Sequence, residues 1–174
     1  MKKTISMLLL LALTLCSVLA VSSCTADTPP EIPEGYKLYE NSDLSFAYPE
    51  DWSMQSGSVV MLINPAGVGN NITVVYENKT DAYDDLTVES FNESLKPAYE
   101  AMGMKISGVA VSHETTNNVN YTKISYSATV SGTKMKQTSL IATIGNYTYS
   151  ITITETNADA QLVQTVINTL YSKR

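Results

Sequence analysis

Two runs of this chain alternate residue by residue, and this limits the fold more than any other feature. Ile124, Tyr126, Ala128 and Val130 interleave with Lys123, Ser125, Ser127 and Thr129. Tyr147, Tyr149, Ile151 and Ile153 interleave with Thr148, Ser150, Thr152 and Thr154. A period of two puts every second side chain on the same face of a strand. Each run therefore predicts a strand in an antiparallel sheet. Leu140, Ala142 and Ile144 repeat the pattern between them. Ser131-Gly132-Thr133 and Gly145-Asn146 supply hairpin turns, because Gly and Asn tolerate positive φ. The second half of the sheet therefore reads as a meander.

Upstream, Leu44, Phe46 and Tyr48 alternate, as do Ile72, Val74 and Tyr76. Val59 to Ile63 is continuously apolar, which predicts a strand covered on both faces. Ile106 to Val111 is a weaker strand, interrupted by Gly108.

Two segments carry the helical period. Val88, Phe91, Leu95, Ala98 and Met102 form one apolar stripe. Asp84, Asp85 and Thr87 are candidate caps for its start, and Gly103 for its end. Pro97 removes a backbone donor and crowds the carbonyl of Glu93, which predicts a kink or an early break. The second helix is expected from Ala158 to about Ser172. Its stripe is Leu162, Val163, Val166, Ile167 and Leu170, with Asn157 as cap and Lys173 and Arg174 at its negative end. The order is strands, helix, four strands, helix. The expected fold is α+β, a central antiparallel sheet of about six to seven strands sandwiched by two main helices.

The first residues are of another kind. Lys2 and Lys3 precede an apolar run from Met7 to Val21, and the run ends in Val21-Ser22-Ser23-Cys24. A charged start, an apolar stretch and small residues before a cut are the parts of an export signal. The layout resembles a bacterial lipoprotein signal peptide, in which Cys24 becomes the lipid-carrying first residue. A plain secretory signal and an uncleaved anchor are the competing readings. The run is short of the roughly 20 apolar residues of a membrane span.

Residues 1–23 are thus expected to leave as a signal, and 24–35 to form the lipidated cysteine and a Pro-rich tether (Pro29, Pro30, Pro33). Residues 36–174 are expected to form a single domain. Without the first 23 residues, 151 of 174 remain, with nine basic residues against seventeen acidic, a net charge of −8. Such a surface repels nucleic acid. The remaining chain holds no cysteine except Cys24, so neither an internal disulfide nor a thiolate metal site can form.

Constellations for chemistry are sparse. His113 is the one histidine, expected in a loop at a strand end with an exposed ring. Ser131-Gly132-Thr133-Lys134 has S-x-x-K spacing but falls in a hairpin turn, and its S-D-N and K-T-G partners are missing. Asp81, Asp84, Asp85 and Glu89 cluster before the first helix. They could attract calcium, but their spacing is not that of an EF-hand, and complementing a helix dipole explains them equally. Four Asn-x-Thr triplets (Asn71, Asn78, Asn120, Asn146) fit the composition of exposed strands and turns. Eleven tyrosines and one tryptophan stand against two phenylalanines. Tyrosine combines an apolar body with a polar tip and suits both interfaces and half-buried sheet positions. Tyr48, Trp52, Tyr76 and Tyr126 are the candidate binding residues, with Tyr83, Tyr99 and Tyr121 as further members of a binding face.

Phe46-Ala47-Tyr48-Pro49-Glu50-Asp51-Trp52 resembles the F-x-Y-P-x-x-W opening of PsbP-like domains, and the later order of elements is similar over roughly Tyr36 to Tyr171. The resemblance implies an α-β-α sandwich around an antiparallel sheet. It implies little about activity, since the family includes extrinsic photosystem subunits, a Ran-binding nuclear transport factor and uncharacterised bacterial lipoproteins.

These features predict a lipid-anchored binding or accessory protein on the extracytoplasmic face of the cell membrane. No catalytic activity, metal or cofactor is expected. The expected partners are the membrane, through the lipid, and a protein of the cell envelope; nucleic acid is excluded and the chain is expected to be a monomer. The alternative is a small-molecule carrier or sensor with a pocket lined by tyrosines and Trp52.

Overall fold

The computed structural model describes residues 28–67, 69–156 and 159–174. Cys24 and Asn157 lie outside them. Among the described residues, ten strands form two sheets. β3 (Ser53–Gln55), β4 (Val60–Ile63), β5 (Asn71–Asn78), β9 (Tyr147–Glu155), β8 (Thr133–Ile144), β7 (Val119–Val130) and β6 (Lys105–Thr116) lie side by side in that order. β1 (Tyr36–Glu40), β2 (Leu44–Pro49) and β10 (Tyr171–Ser172) form the second sheet, with β2 in the middle. All neighbouring pairs are antiparallel.

The meander follows the alternation. Val130 pairs with Thr133 across Ser131-Gly132, both at positive φ, and Ile144 pairs with Tyr147 across Gly145 and Asn146. A third hairpin turns at Asn117-Asn118, also both at positive φ. Gly108 marks a register shift between Ser107 and Ala110 rather than a break. Its φ of +65° admits the extra residue of a bulge, and β6 runs on for 12 residues.

The large sheet has two unlike faces. Leu62, Ile72, Val74, Leu140, Ala142, Tyr149, Ile151 and Ile153 join one core with Leu44, Phe46, Tyr48 and Trp52 of the β2 region. Leu162, Val166, Ile167 and Leu170 complete it. The second core lies on the other face and is smaller: Ile106, Ile124, Tyr126, Ala128 and Ile141 beneath Leu86 and Phe91. The simple two-helix sandwich is therefore corrected. One face carries a helix alone, whereas the other is covered by the small sheet together with a helix. β2 makes this possible, since Leu44 to Tyr48 are buried on both sides.

The first helix, α1, is composite: Val88–Ser90, a π-helical stretch Phe91–Leu95, and Lys96–Ala101. Thr87 caps it, with Ser90 completing a reciprocal capping box. Asp84 and Asp85 do not serve as the cap. Lys96 N–H reaches back five residues to the carbonyl of Phe91. Pro97 follows immediately and has no donor to offer Glu93, so the wide turn sits where an ordinary bond is lost. The extra residue turns the stripe. Phe91, Leu95 and Tyr99 face the sheet, whereas Ala98 is exposed and Met102 is 67 % exposed. The uniform helical period predicted Ala98 and Met102 instead.

The second helix, α2, spans Ala160–Thr169 and is shorter than expected. Asp159 caps it, accepting from the N–H groups of Gln161 and Leu162. The chain turns extended at Leu170, and Tyr171–Ser172 add a strand to β2. Lys173 and Arg174 consequently serve no helix end. Lys173 bonds Glu40 at 3.0 Å, and Arg174 pairs with Asp43. The continuous apolar run at β4 is also less enclosed than predicted. Only Leu62 is buried, and Val59 is 37 % exposed, because β4 lies near the sheet edge. No described helix is long and apolar enough to cross a membrane.

Candidate functional site

The four candidate binding residues occupy three places. Tyr48 and Trp52 are buried in the larger core. Lys37 fixes their turn. Its Nζ donates to the carbonyls of Glu50 at 2.6 Å and Trp52 at 2.8 Å, and sits 5.1 Å from the centre of the Tyr48 ring. Trp52 N–H closes the turn on Pro49 O at 3.1 Å. The motif therefore knots β1 to the end of β2.

Tyr76 is 59 % exposed and meets Tyr147 edge-on, with ring centres 5.4 Å apart; Tyr147 is 36 % exposed. Tyr149 lies beneath, 5.8 Å from Tyr76. β5 and β9 bring these rings together because Tyr76 is directly opposite Tyr149. Tyr39 is close enough to interact electrostatically with Tyr76, and burial raises its hydroxyl pKa.

Tyr126 lies on the opposite face, beneath α1. Its ring is 5.7 Å from Phe91 and 5.8 Å from Tyr99. Burial raises its hydroxyl pKa, with the Tyr99 hydroxyl adding to the shift. These rings border a cleft of about 220 Å³ between α1 and the sheet. Tyr83 and Tyr99, named from sequence only as members of a wider face, stand on its wall. The polar floor of the cleft escaped sequence reading. Ser150 and Thr152 come from β9, where the sequence shows them only as the polar half of the alternation, and Gln137 and Ser139 come from the part of β8 that carries no such pattern.

A second groove of about 480 Å³ is lined by Lys79, Asp81, Asp84 and His113, among others. His113 lies inside β6, not in a loop, and both ring nitrogens are occupied. Nε2 donates to Leu86 O at 3.1 Å, and Nδ1 meets Thr122 Oγ1 at 3.0 Å. The Thr122 hydroxyl donates to Tyr83 O at 2.8 Å. These bonds pin the segment before α1 to the sheet. Asp85 lines a separate hollow, and Glu89 lines neither. Among the described residues, no three His, Asp or Glu side chains gather as a metal-holding group.

No protein-family model and no curated protein matches this chain. Solved structures do. The solution structure of cyanobacterial PsbP (CyanoP) from Synechocystis aligns over 87 % of this chain and 98 % of its own, with a TM-score of 0.60 at 14 % identity. The fold is PsbP-like. A crystal structure from Bacteroides thetaiotaomicron aligns over 75 % of this chain with a TM-score of 0.51 at 17 % identity. The alignment spans 45 % of that protein's length. At such identities the likeness is one of fold, and a PsbP-like fold carries no residue roles with it.

Proposed function

We propose that this chain is a lipid-anchored extracytoplasmic module that binds a protein partner of the cell envelope and performs no catalysis. The supporting observation is the exposed Tyr76–Tyr147 pair. Tyrosine is enriched at binding hot spots because it offers a large apolar surface with a polar tip. The place of the pair also supports the reading. The tether enters at Tyr36, and Tyr39 near the other end of β1 is within electrostatic reach of Tyr76. At about 3.3 Å per residue Tyr39 is roughly 10 Å along β1 from that entry. A lipid on Cys24 would then leave the tyrosines free for a partner.

The test is in-membrane cross-linking of the full chain, comparing wild type with Tyr76→Ala/Tyr147→Ala. One partner band that fades in the double variant is expected. A band of equal intensity in both would remove the tyrosine pair from the reading, and no band in either would remove the partner.

A second reading, a small-molecule carrier or sensor, has its own support in the cleft beneath α1. Trp52 has no part in it. The cleft is open and its floor is polar, which suits a polar ligand better than an enclosed apolar one.

A further inference from the structure

The α1 cleft joins two kinds of surface. Tyr83, Phe91, Leu95 and Tyr99 supply an aromatic and apolar wall; Gln137, Ser139, Ser150 and Thr152 supply an amide and three hydroxyls. None of the lining side chains is charged, in a chain with 28 charged residues. We propose that this cleft binds one ring of a neutral saccharide. The inference rests on the small-molecule reading and names its ligand class.

The division of the lining matches the division of a sugar ring. A pyranose has a C–H-rich face, which packs on aromatic and apolar surface, and a rim of hydroxyls that need donors and acceptors. The floor supplies both. Ser139 Oγ and Thr152 Oγ1 are 2.9 Å apart, so one donates to the other. The donor keeps acceptor capacity, and the acceptor keeps its own proton to give. A charged ligand would enter partial desolvation with no opposite charge to meet it. A purely apolar ligand would strip water from the floor without replacing its bonds.

Size and surroundings narrow the ligand further. About 220 Å³ is below the roughly 300–1,000 Å³ of pockets for drug-sized molecules. One ring fits that scale. The polar floor continues past the cleft, since Thr152 pairs with Thr73 and Thr154 with Asn71 on β5. α1 packs over Tyr126 of β7, and Asn71 and Thr73 stay partly exposed along this continuation. A second ring of a glycan chain would have hydroxyl and amide partners there.

Saturation-transfer NMR on the full chain in lipid nanodiscs tests the proposal. The probes are glucose, galactose, mannose, N-acetylglucosamine, maltotriose and cellotriose. Glucuronate and glucosamine serve as charged controls, and indole as an apolar one. Transfer to at least one neutral sugar, stronger than to either charged analogue, is the expected result. Ser150→Val and Gln137→Leu alter the floor and leave the α1 core intact, and each should weaken affinity roughly tenfold. A trisaccharide that outbinds its monosaccharide supports a glycan chain as the source; equal binding supports a free sugar. No transfer to any neutral sugar overturns the proposal, as does undiminished transfer in both variants. Transfer to indole alone sinks the sugar and leaves a small-molecule site standing; transfer to nothing removes both.

Discussion

Tyr149 donates its hydroxyl proton to Asp43 Oδ2, joining β9 to the β1–β2 turn across 106 residues of sequence. Asp43 is 1 % exposed. The Arg174 guanidinium lies against its other oxygen as an ion contact, without an aligned hydrogen bond. Lys173 N–H donates to the Asp43 carbonyl at 2.8 Å. One buried carboxylate thus ties the large sheet, the small sheet and the end of the chain together.

Asp43→Ala should lower stability by about 1–3 kcal/mol, because it leaves the buried Tyr149 hydroxyl without a partner. Arg174→Ala should cost less, about 1 kcal/mol or below, since the guanidinium is half exposed and water screens the pair. Urea melts with unchanged m values check the order of the two. A larger loss for Arg174→Ala would contradict it.

Stability should decline in alkali. Burial, followed by the carboxylate of Asp43, raises the Tyr149 hydroxyl above its ordinary value of 10.0. Burial and neighbours raise Tyr121 and Tyr126 likewise. A raised folded pKa means the native state holds its proton more tightly than the unfolded chain does. The contribution is complete below about pH 10 and is lost as pH climbs through the folded values. Tyr126→Phe keeps the ring and deletes the proton, so its alkaline slope should be shallower. Denaturant midpoints between pH 8 and 12 provide the measurement.

The π turn in α1 makes a prediction opposite to that of a uniform helix. Tyr99→Ala should cost about 2 kcal/mol, less than the roughly 3–5 for a fully buried aromatic, because Tyr99 is only partly buried. Met102→Lys should change stability by less than about 0.5 kcal/mol, since that side chain is 67 % exposed. Reversed costs in thermal melts would restore the uniform stripe.

Cys24→Ala should release a folded domain from the membrane, because the acyl chains expected on Cys24 would supply the anchor. Fractionation of cells with detection of the soluble form is the check. A variant that stays in the membrane fraction after loss of residues 1–23 would rule the lipid anchor out.

Much of the fold was legible in sequence because half-buried antiparallel strands have a period of their own. β9 could be read residue by residue and β7 from Lys123 onward, and Gly132 and Gly145 each mark a turn, whereas Gly108 read as an interruption and is a bulge. β1, β3 and β10 were not legible. β3 is exposed at all three positions, β1 is largely accessible, and β10 is two residues long. Such strands form because a neighbour offers backbone partners, and no local pattern records that. β8 was legible only from Leu140 onward, since Met135 is the one apolar residue between Thr133 and Ser139 and a single residue makes no alternation.

The candidate site divides in the same way. The surplus of tyrosine was visible, but Tyr48, Tyr76 and Tyr126 are equivalent in sequence, each being an apolar position in a strand. The fold sends the first into the core, the second to the surface and the third beneath α1.

Local sequence is enough for an antiparallel meander, an amphipathic segment on either side of it, an acidic surface and the expectation of an anchor at Cys24. These follow from local periodicity, turn chemistry and composition, which need no knowledge of distant contacts. Long-range contacts take β2 out of the central sheet and into a second one. They also return Arg174 to Asp43 and set Gln137, Ser139, Ser150 and Thr152 opposite Tyr99 across a cleft. Those outcomes depend on long-range pairing, in which burial of the whole core selects among partners that the local sequence leaves equal.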